Sequence, residues 1–280
     1  MENIKIINFS LINIDKPTGP TSFSVSEYIK EQLNLNKTSH MGTLDPKVTG
    51  VLPITLGRAC KLASYFISHD KTYIGILHTH KEQDINYLQD LINKNFVGKI
   101  KQIPPHKSSV KRAEREREVY NFNFLESLEN RKDFLFECKV QGGTYIRKIC
   151  SDLGEMIGGA HMEDLRRTAA GIFSESKLYS LEEFTAAAEE YKRGNIKPLK
   201  KMLIPAETAI KEVMPSLQVQ KKSVKSLYTG KPLLFKDLEK NTSELEKGSV
   251  FALFSDGKFI GVYKKTSEKE IFAKPEFVYN

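Results

Sequence analysis

No helix can run through residues 39–53, which read SHMGTLDPKVTGVLP. Pro46 has no backbone N–H and blocks helical continuation, and Gly42-Thr43 forms a turn just before it. Asp45 is the one acidic residue of the stretch. A lone carboxylate on so punctuated a loop has two physical uses. It caps a turn, the common role of Asp before Pro, or it is a reactive group, nucleophile or general base, and then needs a cation nearby to stay ionised.

The rest of the chain supplies candidates for that company. Ser10 to Ile14 is a short apolar strand that ends at Asp15-Lys16-Pro17. Ser24 with Glu27 has the spacing of a capping box, with Val25, Ile29 and Leu33 on one helical face. Val51–Leu56 is a short apolar segment, and Gly57 opens another helix. Thr72–Thr79 reads as a strand, and Ile85, Leu88 and Ile92 mark an amphipathic helix. Ile103-Pro104-Pro105 starts a basic loop through Lys107, Lys111, Arg112, Arg115 and Arg117. Two alternating strands, Val119–Leu125 and Phe134–Gln141, lead to Gly142-Gly143 and a helix carrying Ile146, Ile149 and Leu153. Ser180 and Glu183 cap a further helix, and Lys192–Lys201 reads as a basic linker. The last part is β-rich, with Asp256-Gly257 as a two-residue hairpin turn. The fold class expected is α+β: a mixed, mainly antiparallel central sheet flanked by helices, then a small β-barrel-like domain.

Arg147 follows Gly142-Gly143-Thr144 and is the cation best placed to partner Asp45. His40, five residues before Asp45, fits a metal ligand, a base or a ring that fills the gap left by a flipped nucleotide. Tyr73 is either a half-buried strand aromatic or a stacking surface for a base. Lys16 touches phosphate or supports the neighbouring loop. The segment from Lys107 to Arg117 is either a phosphate clamp or a solvated loop, since Glu114, Glu116 and Glu118 interleave with its cations. His78 and His80 share a strand face, but no Cys or Glu completes a ligand set beside them, so no metal site is expected.

The net charge of +8 favours a polyanionic partner over mere solubility. Cys60, Cys138 and Cys150 are far apart and form no CxxC pair, which points to a reducing, cytoplasmic setting. No apolar run approaches the roughly 18 residues of a spanning helix, and the opening MENIKIINFS lacks the pattern of a secretion signal, so no membrane partner is expected. No Walker pattern is present, and no paired carboxylates suggest a hydrolase.

Several colinear motifs carry a resemblance. DKPTGPTS at 15–22, HMGTLDPKVTG at 40–50, Lys71-Thr72-Tyr73, Pro104-Pro105 leading to SVKR at 109–112, GGTYIR at 142–147, and His161-Met162 with LRRT at 165–168 resemble the TruB family of pseudouridine synthases. Their form is that of its archaeal and eukaryotic, dyskerin-like branch. The resemblance covers about residues 11–173 and, more weakly, a terminal PUA-like unit. It implies a catalytic domain over 1–200 with a thumb loop at about 100–118, and a PUA RNA-binding domain over 205–280. It implies that Asp45 is the catalytic aspartate, that Arg147 pairs with it, that Tyr73 stacks on the target base and Leu165 lines the pocket. His40 then assists nucleotide extrusion, Lys16 supports the active-site loop, and Lys107, Lys111, Arg112, Arg115 and Arg117 grip RNA. The implied reaction converts uridine to pseudouridine in RNA, in a buried pocket and with no cofactor. The implied substrates are uridine 55 in the T-loop of tRNA, or sites chosen by a box H/ACA guide RNA with small protein partners. The alternative is a catalytically inactive RNA-binding scaffold of the same fold, which predicts that the catalytic carboxylate is lost; Asp45 is present.

Overall fold

The computed structural model describes residues 2–104, 113–239 and 245–280. The chain divides into two units, Met1–Leu203 and Ile204–Asn280. Lys107, Lys111 and Arg112 lie outside the described residues.

In the first unit, α1 (Glu2–Asn8) precedes β1 (Ser10–Lys16), α2 (Ser22–Gln32), β2 (Thr38–His40), β3 (Thr49–Leu56), α3 (Ala63–Ile67) and β4 (Lys71–Thr79). Then come α4 (Ile85–Asn95), β5 (Gly98–Gln102), β6 (Arg115–Ser127), β7 (Asp133–Val140), α5 (Ile146–Ile157), β8 (Ala160–Ala170), β9 (Phe173–Ser174), α6 (Leu181–Lys192) and α7 (Lys197–Met202). The main sheet runs β1-β3-β8-β4-β7-β6-β5, with β2 on β3 and β9 on β8. Only β3 and β8 are parallel along that path; the named neighbours otherwise run antiparallel. The sheet is therefore mixed and mainly antiparallel, as expected.

Strand β4 lies between β7 and β8 and alternates buried and half-buried residues along its whole length. Its buried face carries Lys71, Tyr73 and Leu77, so an ionisable residue shares a row with core residues. Across from it, Leu165 pairs with Gly75 and Arg167 with Tyr73. Directly opposed residues project to the same face, which brings all of them together. Phe122 and Phe136 stack at 4.6 Å further along the sheet, and each fully buried ring contributes on the order of 2–3 kcal/mol. Helix α5 buries Ile146, Ile149 and Leu153 and packs on β8. Its Gly154 allows that approach, because a Cβ there would sit 2.4 Å from the Ala160 nitrogen.

Four local expectations are corrected. Helix α2 begins at Ser22, and Thr21, not Ser24, is its cap: the Thr21 hydroxyl accepts the Ser24 N–H. Gly57 opens a tight 3-10 turn over Gly57–Leu62 before α3. Residues 192–201 are not an extended linker. Pro198 sits in the first turn of α7, where its missing N–H is no loss, and Leu199 and Met202 are buried. Arg115 and Arg117 are on strand β6, paired with Gln102 and Ile100, rather than in a loop.

Strand β10 (Leu203–Pro205) spans the boundary, and the second unit opens with α8 (Ala206–Val213). It holds β11 (Ser216–Gln218), α9 (Val224–Leu227), β12 (Leu233–Leu234), β13 (Val250–Ser255), β14 (Lys258–Lys265) and β15 (Ile271–Val278). Its curled five-stranded sheet runs β11-β13-β14-β15-β12 over a core that includes Phe251, Ile260, Tyr263 and Phe272. Asp256 and Gly257 both have positive φ, 47° and 75°, as the tight hairpin turn between β13 and β14 requires.

Gly154→Ala should destabilise the protein by about 1–3 kcal/mol by overpacking the α5–β8 contact. A urea melt that moves by less than 0.5 kcal/mol would show that the helix shifts freely on the sheet.

Candidate active site

The Asp45 loop is an exposed turn on a buried footing. Asp45 begins a tight turn, its carbonyl accepting from the Val48 N–H at 3.0 Å. Three side chains hold the loop from beneath. Ser22 accepts the Leu44 N–H at 2.8 Å and donates to the Leu44 carbonyl at 3.0 Å. Lys16, fully buried, donates to the carbonyls of Pro17 at 2.8 Å, Pro46 at 3.0 Å and Val48 at 2.9 Å, matching three N–H groups with three acceptors. Burial lowers the Lys16 pKa, and the nearby charge of Asp45 partly offsets this. Of the two readings of Lys16, this geometry favours loop support.

Arg167 forms the other footing. Its side chain is almost wholly buried, at 1% exposure. It donates to the Val51 carbonyl at 2.8 Å and the Gly42 carbonyl at 3.0 Å, and it stands opposite Tyr73 in the sheet. Gly42 and Gly50 are required here. Both have positive φ, and a Cβ on Gly50 would meet the Arg167 carbonyl oxygen at 2.2 Å. Behind Arg167 lies Lys71, 4% exposed, donating to the carbonyls of Ile67 at 3.1 Å and His69 at 2.5 Å. Burial first, and then the charge of Arg167, pulls its pKa down to about 8, against an opposing pull from Asp70.

Arg147, in the first turn of α5, donates through Nη2 to Asp45 Oδ2. The two side chains are 56% and 51% exposed. The buried pocket expected from sequence is thus open on its carboxylate side in the chain alone. An exposed ion pair contributes only about 0–1 kcal/mol, so fold stability is no reason to hold it this carefully. Tyr73 is buried beside it; burial raises its pKa first, Arg167 lowers it, and Asp45 raises it. Leu165, also buried, stands opposite Gly75, where a Cβ would come within 2.8 Å of its Cδ1. His40 ends strand β2, and its Nε2 lies 3.1 Å from the Thr43 hydroxyl. Burial and then the charge of Arg167 lower its pKa, which favours the neutral ring.

The site brings together Asp45, Arg147, Tyr73, Leu165, His40 and Lys16. Arg117, one of the five basic residues expected to grip RNA, donates to the Gly143 carbonyl at 3.1 Å and so braces the segment that precedes Arg147. Sequence reading did not single out Arg167, Lys71 or Ser22. Strand alternation is the signal that finds the first two: Leu165 and Arg167 share one face, as do Lys71 and Tyr73. His78, His80 and His161 cluster elsewhere on the sheet, His78 and His161 having centroids 5.0 Å apart. No group of three His, Cys, Asp or Glu side chains among the described residues has the geometry to hold a metal.

Three family models match in sequence order. They are the N-terminal domain of TruB family pseudouridylate synthases over 30–146, the C-terminal domain of tRNA pseudouridylate synthase B over 147–211, and a PUA-like domain over 217–264. The chain is 40% identical over 252 residues to a probable tRNA pseudouridine synthase B of Korarchaeum cryptofilum, covering 89% of this chain and 76% of the relative. A similarly named protein of Methanosarcina barkeri is 37% identical over 278 residues, covering 97% and 80%. Among solved structures, a Cbf5-Nop10-Gar1 complex superposes with a TM-score of 0.87 at 33% identity, covering 99% of this chain and 86% of that one. An H/ACA RNP bound to a substrate RNA containing 2'-deoxyuridine superposes with a TM-score of 0.86 at 31% identity, covering 99% and 87%.

Lys16→Met should strip three carbonyls of their donors and cost about 3 kcal/mol or more. An unfolding midpoint equal to wild type would show that the loop does not hang on this lysine.

Proposed function

The chain belongs to the TruB family of pseudouridine synthases, and from that premise we propose that Asp45 is the catalytic aspartate of a uridine-to-pseudouridine isomerisation in RNA. The observation that carries this reading is the Asp45–Arg147 contact. It sets a guanidinium against a carboxylate, next to a buried aromatic and an apolar wall, on a loop whose every strut is buried.

The reaction breaks the bond between ribose C1' and uracil N1, turns the base, and joins C1' to C5; the proton on C5 is released and N1 takes one up. A base must leave its stack to undergo this. In our reading the target uridine enters over Tyr73 and Leu165, and Asp45 acts at the glycosidic bond as nucleophile or base. Arg147, whose charge is permanent, faces that carboxylate. The neutral His40 ring stands at the entrance, suited to the gap left by the extruded nucleotide. The bound RNA then supplies the cover that the open side of the pair lacks.

As substrates we propose tRNA, at uridine 55 of the T-loop, and RNA selected by a box H/ACA guide with small protein partners. The relatives named for tRNA support the first, and the superposition on H/ACA assemblies supports the second. We assign catalysis to residues 1–200 and RNA binding to a PUA domain over 205–280, with the segment from Lys107 to Arg117 in the thumb. An intracellular, cytoplasmic site of action suits such substrates. Among the described residues no helix is long and apolar enough to cross a membrane, and the three cysteines are free. The inactive-scaffold alternative has no support in a site that retains Asp45, Tyr73 and Arg147.

Tritium release from C5-labelled uridine in a tRNA transcript tests the assignment. Asp45→Asn should abolish release, and release that persists would remove Asp45 from the role. Release only after guide RNA and partner proteins are added would select the guided mode. Lys111→Ala combined with Arg112→Ala should weaken RNA binding and flatten its salt dependence by about two charges. An unchanged salt slope would make that segment a solvated loop.

A further inference from the structure

Besides Lys16, two buried cations stand behind the candidate site, and only one of these two bonds to the Asp45 loop. Arg167 holds the loop through the Gly42 and Val51 carbonyls. Lys71 lies beside it: a Cβ placed on Gly42 would be 3.2 Å from Arg167 Nη1 and 3.7 Å from Lys71 Cε. Yet the Lys71 ammonium turns away from that loop, to the carbonyls of Ile67 and His69.

Those carbonyls have a second neighbour. Gly142 lies against them so closely that a Cβ on it would meet the oxygens of His69, Ile67 and Ser68 at 2.9, 3.0 and 3.1 Å. Gly142 begins the segment that delivers Arg147. From there the backbone is held at each step. Thr144 bonds back to the Gln141 carbonyl, Arg117 bonds to the Gly143 carbonyl, and the Tyr145 N–H donates to Gln102. The surface on which Gly142 rests therefore sets where α5 starts, and with it the guanidinium that meets Asp45.

We propose that Lys71 is a positioning residue for the isomerisation: by holding the carbonyls of residues 67–69 it sets the seat of Gly142 and so the point at which Arg147 meets Asp45. Arg167 and Lys71 thus fix the two halves of one contact from a shared buried position. This rests on the reading of Asp45 and Arg147 as the catalytic pair. A lysine that merely filled space would be better replaced by an apolar residue, because a like charge sits beside it. Its retention in the core matches a use for its hydrogen bonds.

Charge on Lys71 adds strength to both bonds. The charged groups around it are Arg167 on β8, which lowers its pKa, and Asp70, which raises it. Asp70 is itself engaged by the Tyr120 hydroxyl at 2.9 Å and by Lys139 at 3.9 Å. Tyr73, on the same face, is held protonated well into the alkaline range by burial. His69 faces away, with Nε2 at 3.0 Å from the Tyr65 carbonyl.

The test uses the full chain, a C5-tritiated tRNA transcript and single-turnover conditions in which the wild type releases tritium. Lys71→Met should lower the rate at saturating RNA at least tenfold, leave RNA affinity within about twofold, and leave the chain folded at the assay temperature. In the unsubstituted chain the rate should fall about threefold as pH rises from 7 to 9, and Lys71→Met should lack that limb. A wild-type profile flat over that range overturns the proposal even where the variant does not fold. So does a Lys71→Met rate within twofold of wild type, or a rate loss matched by loss of folded protein. Asp45→Asn is run in parallel. Activity in Asp45→Asn overturns the underlying reading of the site, whereas an inactive Asp45→Asn beside a normal Lys71→Met overturns the role of Lys71 alone.

Discussion

A guanidinium shut inside the sheet is the interaction on which the rest of the site depends. Arg167 gives its N–H groups to the Gly42 and Val51 carbonyls and stands opposite Tyr73 in the sheet, and those three points define one wall of the site. A buried cation without partners costs several kcal/mol, so the chain must present acceptors in fixed places. Gly42 and Gly50 make this possible: both adopt a positive φ, and a Cβ would strike the Arg167 backbone carbonyl from Gly50 at 2.2 Å and crowd its guanidinium from Gly42 at 3.2 Å. The reactive loop, the aromatic beside it and the parallel pairing of β3 with β8 are therefore one construction. Removing the arginine would leave two carbonyls without their donor, and nothing apolar of similar shape would supply one.

Buried charge serves a different end here than stability. Lys71 has a folded-state pKa near 8, below its unfolded value of roughly 10.4. A group with a depressed cationic pKa weakens the fold while it is protonated, below about pH 8, and that penalty fades as pH rises toward the unfolded value. At neutral pH the chain therefore carries this lysine at a loss of stability, as it carries the buried Lys16 and Arg167. All three end on backbone carbonyls, those of Lys16 and Arg167 in or beside the Asp45 loop and those of Lys71 at the end of α3. Strain of this kind collects where geometry matters more than stability.

Much of this was legible in the sequence. Pro46 and the glycines marked the loop, the strand and helix periods marked β4, α4 and α5, and the colinear motifs pointed to a family and to a role for Asp45. What was not legible follows from the limits of those signals. Whether Ser24 or Thr21 caps α2 depends on which hydroxyl reaches a free N–H, and both satisfy the same residue preferences. The run at 192–201 looks like a linker by charge, but two apolar residues and a first-turn proline suffice for a short helix when a core lies beneath them. Arg167 sits next to Arg166 in sequence, yet one is buried under the loop and the other pairs with Asp15 and Glu175 at the surface. Only strand alternation separates them, and it was the motif, not the alternation, that drew attention to that segment.

The openness of the Asp45–Arg147 pair is the last consequence of the same construction. Asp45 and Arg147 meet in a half-exposed position, where water weakens their attraction and screens the carboxylate. Chemistry on a glycosidic bond needs that water gone. The buried struts reach the loop only from the protein side, so they leave the opposite side for a ligand to cover. A substrate that covers it removes water from a carboxylate whose cation is already in place, so the pair strengthens as the ligand binds and little rearrangement is required. The rigidity beneath the loop and the exposure above it are thus one arrangement: the protein fixes the groups that must not move and leaves to the RNA the part that must come and go.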